Sequence, residues 1–249
     1  MCTLTWLFNE GHEGYSLFFN RDELKTRQRA IPPRLQHTTE GVQYLAPTDT
    51  DAGGTWLAVN QYGLTVCLLN NYVAKEPQTP QLQSRGNIVL ALAGSETAQR
   101  AEKILHDMDL SCYRGFDVVL IQRAALQLSW DSENLTRSIP QIPVTSSSYQ
   151  SSSVRATRHT YLSALKQLDE INIEALEHFH SVHLNDDLST VSGTPEHADS
   201  VCMHRDYAQT VSQCFVQVNV NQVAISYSDG SPCETVAGPP QILQRRVAA

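Results

Sequence analysis

No apolar run in this 249-residue chain approaches the roughly 18 residues needed for a membrane-spanning helix. Basic charge is also in short supply. Lys and Arg number 18 against 26 Asp and Glu, for a formal net charge of −8, which disfavours a nucleic-acid or anionic-membrane partner. The N-terminus, MCTLTWLFNEGHEG, has neither a basic leader nor a long apolar segment, so no export signal is read and the expected compartment is the cytoplasm. Cys-x-x-Cys is missing. The six cysteines, Cys2, Cys67, Cys112, Cys202, Cys214 and Cys233, are scattered, which argues against a structural zinc site and makes reduced thiols the default. Internal repeats and linkers are absent too, so residues 1–249 read as a single domain. What is present is ordinary globular chemistry: 41% hydrophobic and 18% charged residues, in a chain long enough to bury a substantial core.

Patterning gives the order strands, helices, strands, helices, strands. Cys2 to Phe8 and Tyr15 to Arg21 read as a β-hairpin about the turn Asn9 to Gly14. Residues Ala30 to Thr50, rich in proline and polar side chains, read as a long loop. A second hairpin follows, Thr55 to Asn60 and Leu64 to Asn70. Ser84 to His106 reads as helix broken near Gly94, and Phe116 to Gln122 and Leu126 to Trp130 as strands. Thr145 to Ser153 is a loop or a strand end, and Val154 to Lys166 and Ile173 to His183 have helical spacing. Asn185 to Ser200 is polar and irregular, and Thr210 to Val220 and Val223 to Tyr227 are the last strands. This order favours antiparallel sheets with helices outside, an α+β fold.

Cys2 is the residue with the most distinctive chemistry. Its small side chain permits removal of Met1, which would leave a thiol and an α-amine on one residue. The amine titrates at about 7.7–8 and the thiol at about 8.5, so the neutral amine can take the thiol's proton. The tetrad Asn20-Arg21-Asp22-Glu23 ends the strand that pairs with Cys2. Taken alone it reads equally as a solvated turn; beside Cys2, an Asp orients the amine and an Arg favours thiolate. Asn70 closes a buried strand and reads either as an oxyanion donor or as a turn cap, whereas Asn60 by local sequence is a turn cap. Cys202 and His204 share a strand face but have no second pair nearby in sequence, so no metal ligands are assigned. Arg205 beside Asp206 is a surface ion pair or an anion clamp. His178, His180 and His183 fit the solvated face of an amphipathic helix, and Cys67 fits core packing. Ser146-Ser147-Ser148 lacks the frame of a nucleophile elbow.

Met1-Cys2-Thr3, Asn20-Arg21-Asp22-Glu23, Gly54-Thr55-Trp56, Thr145 to Tyr149, Cys202-Met203-His204-Arg205 and Gly230 to Cys233 together resemble the NRDE family, that of the transport and Golgi organisation protein two. That family is similar in turn to N-terminal-nucleophile hydrolases of the choloylglycine hydrolase and penicillin V acylase group. The resemblance implies a four-layer αββα sandwich of two antiparallel sheets with the nucleophile at the start of a central strand. It implies Cys2 as nucleophile, Asp22 as positioning carboxylate and Asn70 as oxyanion donor, with Arg205 and Arg21 tuning charge at the thiol. The hydrolases' Arg position is Phe19 here, and a hydrolase asparagine is replaced by Ser146. Asn20, Trp56, Asn60 and Ser146 are the implied substrate contacts. The implied activity is cleavage of a small acyl amide or ester without a cofactor. The alternative is a non-catalytic carrier holding an acyl-coenzyme A, another lipid or haem in the same cleft, with Cys2, His204 or the 178–183 histidines as ligands.

Overall fold

A computed structural model describes residues 1–168, 171–184 and 199–246. Most of the polar segment Asn185 to Ser200 lies outside the described residues. No helix among the described residues is long and apolar enough to cross a membrane.

The chain opens with the expected hairpin, β1 (Cys2–Phe8) and β2 (Tyr15–Leu24). Next come β3 (Ile31–His37), β4 (Gln43–Thr48), β5 (Leu57–Asn60) and β6 (Thr65–Asn70). Two helices, α1 (Gly86–Leu92) and α2 (Ala98–Asp107), precede β7 (Phe116–Ile121), β8 (Ala125–Trp130), β9 (Leu135–Ser138) and β10 (Val144–Ser146). Helices α3 (Ser151–Leu168) and α4 (Ile173–Ser181) lead to β11 (Ala208–Val218), β12 (Gln222–Ser228) and β13 (Gln241–Gln244). Six strands form one antiparallel sheet in the order β10-β1-β2-β11-β12-β13, and the other seven form a second in the order β3-β4-β5-β6-β7-β8-β9.

Alternation of side chains across each strand builds the layers. On the inner face of the six-stranded sheet, Leu4, Trp6, Leu17 and Phe19 meet Leu57, Val59 and Leu69 of the other sheet. The outer face of the seven-stranded sheet, through Ala58, Val66 and Val118, packs on Ile88 and Leu92 of α1 and Leu105 of α2. The six-stranded sheet's outer face packs Phe18 against Leu162 of α3 and Leu176 and Phe179 of α4. The result is an αββα sandwich. Thr97 caps α2 by accepting from the Arg100 N–H, and Asn172 caps α4 by accepting from the Ala175 N–H.

The expected loop from Ala30 to Thr50 is instead the hairpin of β3 and β4. β3 lies at the edge of its sheet, and its register with β4 shifts between Ile31 and Arg34, where Pro32 and Pro33 fall. An edge strand tolerates proline because one row of its N–H groups has no ladder to complete. Strands β9 and β13 have no counterpart in the sequence reading, since short edge strands with mostly exposed side chains carry little hydrophobic alternation. The serine-rich stretch contributes β10, which pairs with β1 and flanks the N-terminus.

Candidate functional site

β1 is an interior strand, and its first residue sits between two others: Cys2 is opposite Arg21 in β2 and opposite Ser146 in β10. The Cys2 backbone N–H donates to Ser146 Oγ at 3.0 Å. Met1 continues the pairing with β2, its amino group donating to the Asp22 carbonyl at 3.0 Å and its carbonyl accepting from the Asp22 N–H at 2.9 Å. Burial pushes the Cys2 thiol up to about 11, against the pull of the terminal ammonium and of Arg21. With Met1 in place the thiol is therefore protonated at neutral pH.

A cavity of about 380 Å³ opens at this strand end, lined by Cys2, Arg21, Asp22, Trp56, Asn70 and Arg85 among others. Arg21 is fixed on three sides. Its guanidinium lies 4.5 Å from the centre of the Trp56 ring, 3.0 Å from Asp49 Oδ2 and 3.5 Å from Glu23 Oε2. Arg27 reaches the same Asp49 carboxylate at 2.7 Å, which ties the β2 end to the stretch before β5. Asn70 ends β6, and its amide donates to Tyr72 Oη at 2.8 Å. Two backbones meet in the cavity wall: a Cβ on Gly54 would lie 2.8 Å from Gly86, and one on Gly86 would lie 2.8 Å from the Thr55 nitrogen. Only glycine at both positions lets α1 start against the segment that carries Trp56.

Asp22 is buried, and its side chain reaches across to β11, on the side of β2 away from β1. It accepts from Thr210 Oγ1 at 2.6 Å, and that hydroxyl accepts from the Met203 N–H at 2.9 Å. Its second oxygen, Oδ2, has no hydrogen-bond partner among the described residues. Asn20 lies two residues back on the same face, where its amide donates to the carbonyls of His180 (2.8 Å) and Val201 (3.2 Å) and its oxygen accepts from Gln213 (3.0 Å). It clips the six-stranded sheet to α4 and does not line the cavity. Asn60 is also away from the cavity. It donates to the carbonyls of Ala93 and Ser95 and accepts from the N–H groups of Tyr62 and Leu64, which makes it the cap of the β5–β6 turn. Arg205 is buried outside the lining and contacts Tyr207 Oη at 3.4 Å. Ser146 stands behind Cys2, hydrogen-bonded to its nitrogen.

Two further arginines belong to this neighbourhood and carry no local sequence signal. Arg158 of α3 is fully buried and donates to Thr3 Oγ1 and to the carbonyls of Asp199 and Ser200, which braces the outer face of β1. Arg85, just before α1, lines the cavity and donates to the Gly115 carbonyl at 2.9 Å; among the described residues no carboxylate lies within ion-pair distance of it.

The fold is similar to that of solved hydrolases of the N-terminal-nucleophile type. A cysteine-to-alanine mutant of the conjugated bile acid hydrolase from Clostridium perfringens superposes with a TM-score of 0.54 at 13% identity, covering 100% of this chain and 97% of that one. Penicillin V acylase from Agrobacterium tumefaciens gives 0.50 at 10% identity, covering 99% and 100%. The chain belongs to the transport and Golgi organisation 2 family, whose profile matches residues 1–236. No curated protein sequence matches it.

Proposed function

We propose that this protein is a cysteine N-terminal-nucleophile amidohydrolase acting on a small acyl amide or ester, with Cys2 as nucleophile once Met1 has been removed. The observation that carries this reading is the position of the Cys2 nitrogen, 3.0 Å from Ser146 Oγ, in a residue that lines the cavity. Freed of Met1, that nitrogen is an amine within reach of its own thiol. It takes the thiol proton as Sγ attacks the carbonyl carbon and returns a proton to the departing amine or alcohol as the acyl bond breaks. Asn70 supports the oxyanion, Ser146 and Asp22 orient the amine, and Arg21 favours thiolate. Water then cleaves the thioester and regenerates the thiol. Arg85, with no acidic partner in ion-pair range among the described residues, suits an anionic group on the substrate.

A second reading, a carrier that holds an acyl-coenzyme A, another lipid or haem in the same cavity, is favoured by one feature. In the chain that retains Met1, the thiol is held at about 11 and its nitrogen is an amide, so nothing activates the sulfur. Intact-mass analysis of the purified protein, followed by labelling with an acyl-mimicking electrophile, separates the two. Loss of Met1 with labelling that disappears in Cys2→Ala supports the hydrolase. Retention of Met1 in protein that turns over acyl amides removes the mechanism, and labelling that persists at Cys67 or Cys202 transfers it elsewhere.

A further inference from the structure

Away from the cavity, three separate segments converge on one point of the six-stranded sheet's outer side. His183 follows the end of α4, Cys202 and His204 lie in the stretch before β11, and Cys233 lies in the turn after β12. The potential ligand atoms of these four side chains all lie within 4.8 Å of one another. Cys202 Sγ is 3.4 Å from Cys233 Sγ and 3.7 Å from His204 Nε2, and His204 Nε2 is 3.2 Å from Cys233 Sγ. Metal–sulfur bonds of about 2.3 Å and metal–nitrogen bonds of about 2.0–2.1 Å put the edges of a tetrahedron at roughly 3.3–3.8 Å. The three measured separations fall at or close to that range.

The backbone holds the donors in place independently of one another. The Cys202 N–H donates to the Val182 carbonyl at 3.0 Å, which fixes Cys202 beside His183, and His204 bridges to Gln209. Ser231, two residues before Cys233, donates from Oγ to the Thr210 carbonyl at 2.7 Å. Cys202 is buried, His204 half-buried, and His183 and Cys233 exposed, so the cluster has an opening to solvent.

We propose that His183, Cys202, His204 and Cys233 form a structural zinc site of Cys₂His₂ type. Two thiolates and two imidazoles in tetrahedral reach select zinc among the common divalent ions, and four protein donors leave no coordination position for a substrate. On binding, the two thiols release their protons to solvent and the imidazoles coordinate as neutral ligands. The ion adds a cross-link among three segments that those few hydrogen bonds already bring together. It also stands one step from the proposed catalytic side, because Met203, between two of its ligands, donates its N–H to the Thr210 hydroxyl that holds Asp22. Cys202 and His204 alone made an incomplete set in the sequence; the fold supplies the other two donors from 19 residues before and 31 after Cys202.

Cobalt(II) titration of the reduced, metal-stripped full chain tests the site. The expected result is saturation at one equivalent, with thiolate-to-cobalt charge-transfer and intense tetrahedral bands that zinc abolishes. Stripping the metal lowers the melting temperature and zinc restores it. Cys233→Ser and His183→Gln, both at exposed positions, should lose or weaken the spectrum while circular dichroism shows an intact fold; Cys112→Ser and Cys2→Ala should keep it. The site is overturned if the bands are absent, if they persist unchanged in Cys233→Ser, or if protein trapped by alkylation at isolation carries a Cys202–Cys233 disulfide. The Cys2→Ala arm keeps this outcome separate from that of the hydrolase assay.

Discussion

The backbone nitrogen of Cys2 and the hydroxyl of Ser146 lie 3.0 Å apart, although 144 positions separate them in the chain. That contact exists because β10 pairs alongside β1, and it gives the first test of the site. Ser146→Ala should lower acyl turnover by about 10²-fold, because the amine loses the group that aims it at the thiol. Electrophile labelling of Cys2 should persist. Unchanged turnover would remove Ser146 from the mechanism.

Asn70 lines the cavity, and its amide donates to Tyr72 Oη at 2.8 Å. Asn70→Ala is expected to reduce kcat by about 10²–10³-fold with little change in KM, the signature of a donor that acts in the transition state. Steady-state kinetics with one acyl amide decides it. A rise in KM at constant kcat would mark Asn70 as a ground-state contact instead.

Thr210→Val keeps the shape of the side chain and deletes its hydroxyl. The buried Met203 N–H and Asp22 Oδ1 then each lose a partner, and leaving buried groups unsatisfied costs about 1–3 kcal/mol apiece. Urea unfolding should show a loss of at least about 2 kcal/mol, while Thr210→Ser should recover most of it. Equal losses in the two variants would refute the hydroxyl's role.

His180 is fully buried beside Arg158, and burial followed by that positive charge lowers its pKa from 6.5 to about 3. The folded protein therefore holds a neutral imidazole at neutral pH, and the unfolded chain takes up that proton at a higher pH than the folded one. A group whose folded pKa is depressed contributes stability above its ordinary value, lost as pH falls toward the folded one. The unfolding free energy should accordingly drop between about pH 6.5 and 3, with a slope of up to about 1.4 kcal/mol per pH unit from this residue. In His180→Gln that share of the slope should vanish, so the stability gap between wild type and variant narrows as the solution is acidified. A gap constant with pH would show that His180 does not titrate this way.

The approach of the Asn20 to Glu23 tetrad to Cys2 was legible in the chain, since two alternating apolar runs about a polar turn can pair in only a few registers; that Arg21 is the residue opposite Cys2 was not. Asn60 as a turn cap was equally legible, because all the information lies within a few residues of Tyr62 and Leu64. Residues 31–48 were not, because the prolines that signal a loop are also tolerated on a sheet edge. Nor was the burial of Arg158, whose partners are the Thr3 hydroxyl 155 residues away and two main-chain carbonyls about 40 residues away. His183 and Cys233 as neighbours of Cys202 belong to the same class: only the packed sheet brings them together.

Pro32 and Pro33 have a consequence beyond their own hairpin. They remove two amide hydrogens from the border strand of the seven-stranded sheet, and the register slip beside them breaks the regular spacing a docking strand would need. A docking strand would meet an interrupted ladder at residues 31–33, so that end of the border is a poor template for sideways pairing.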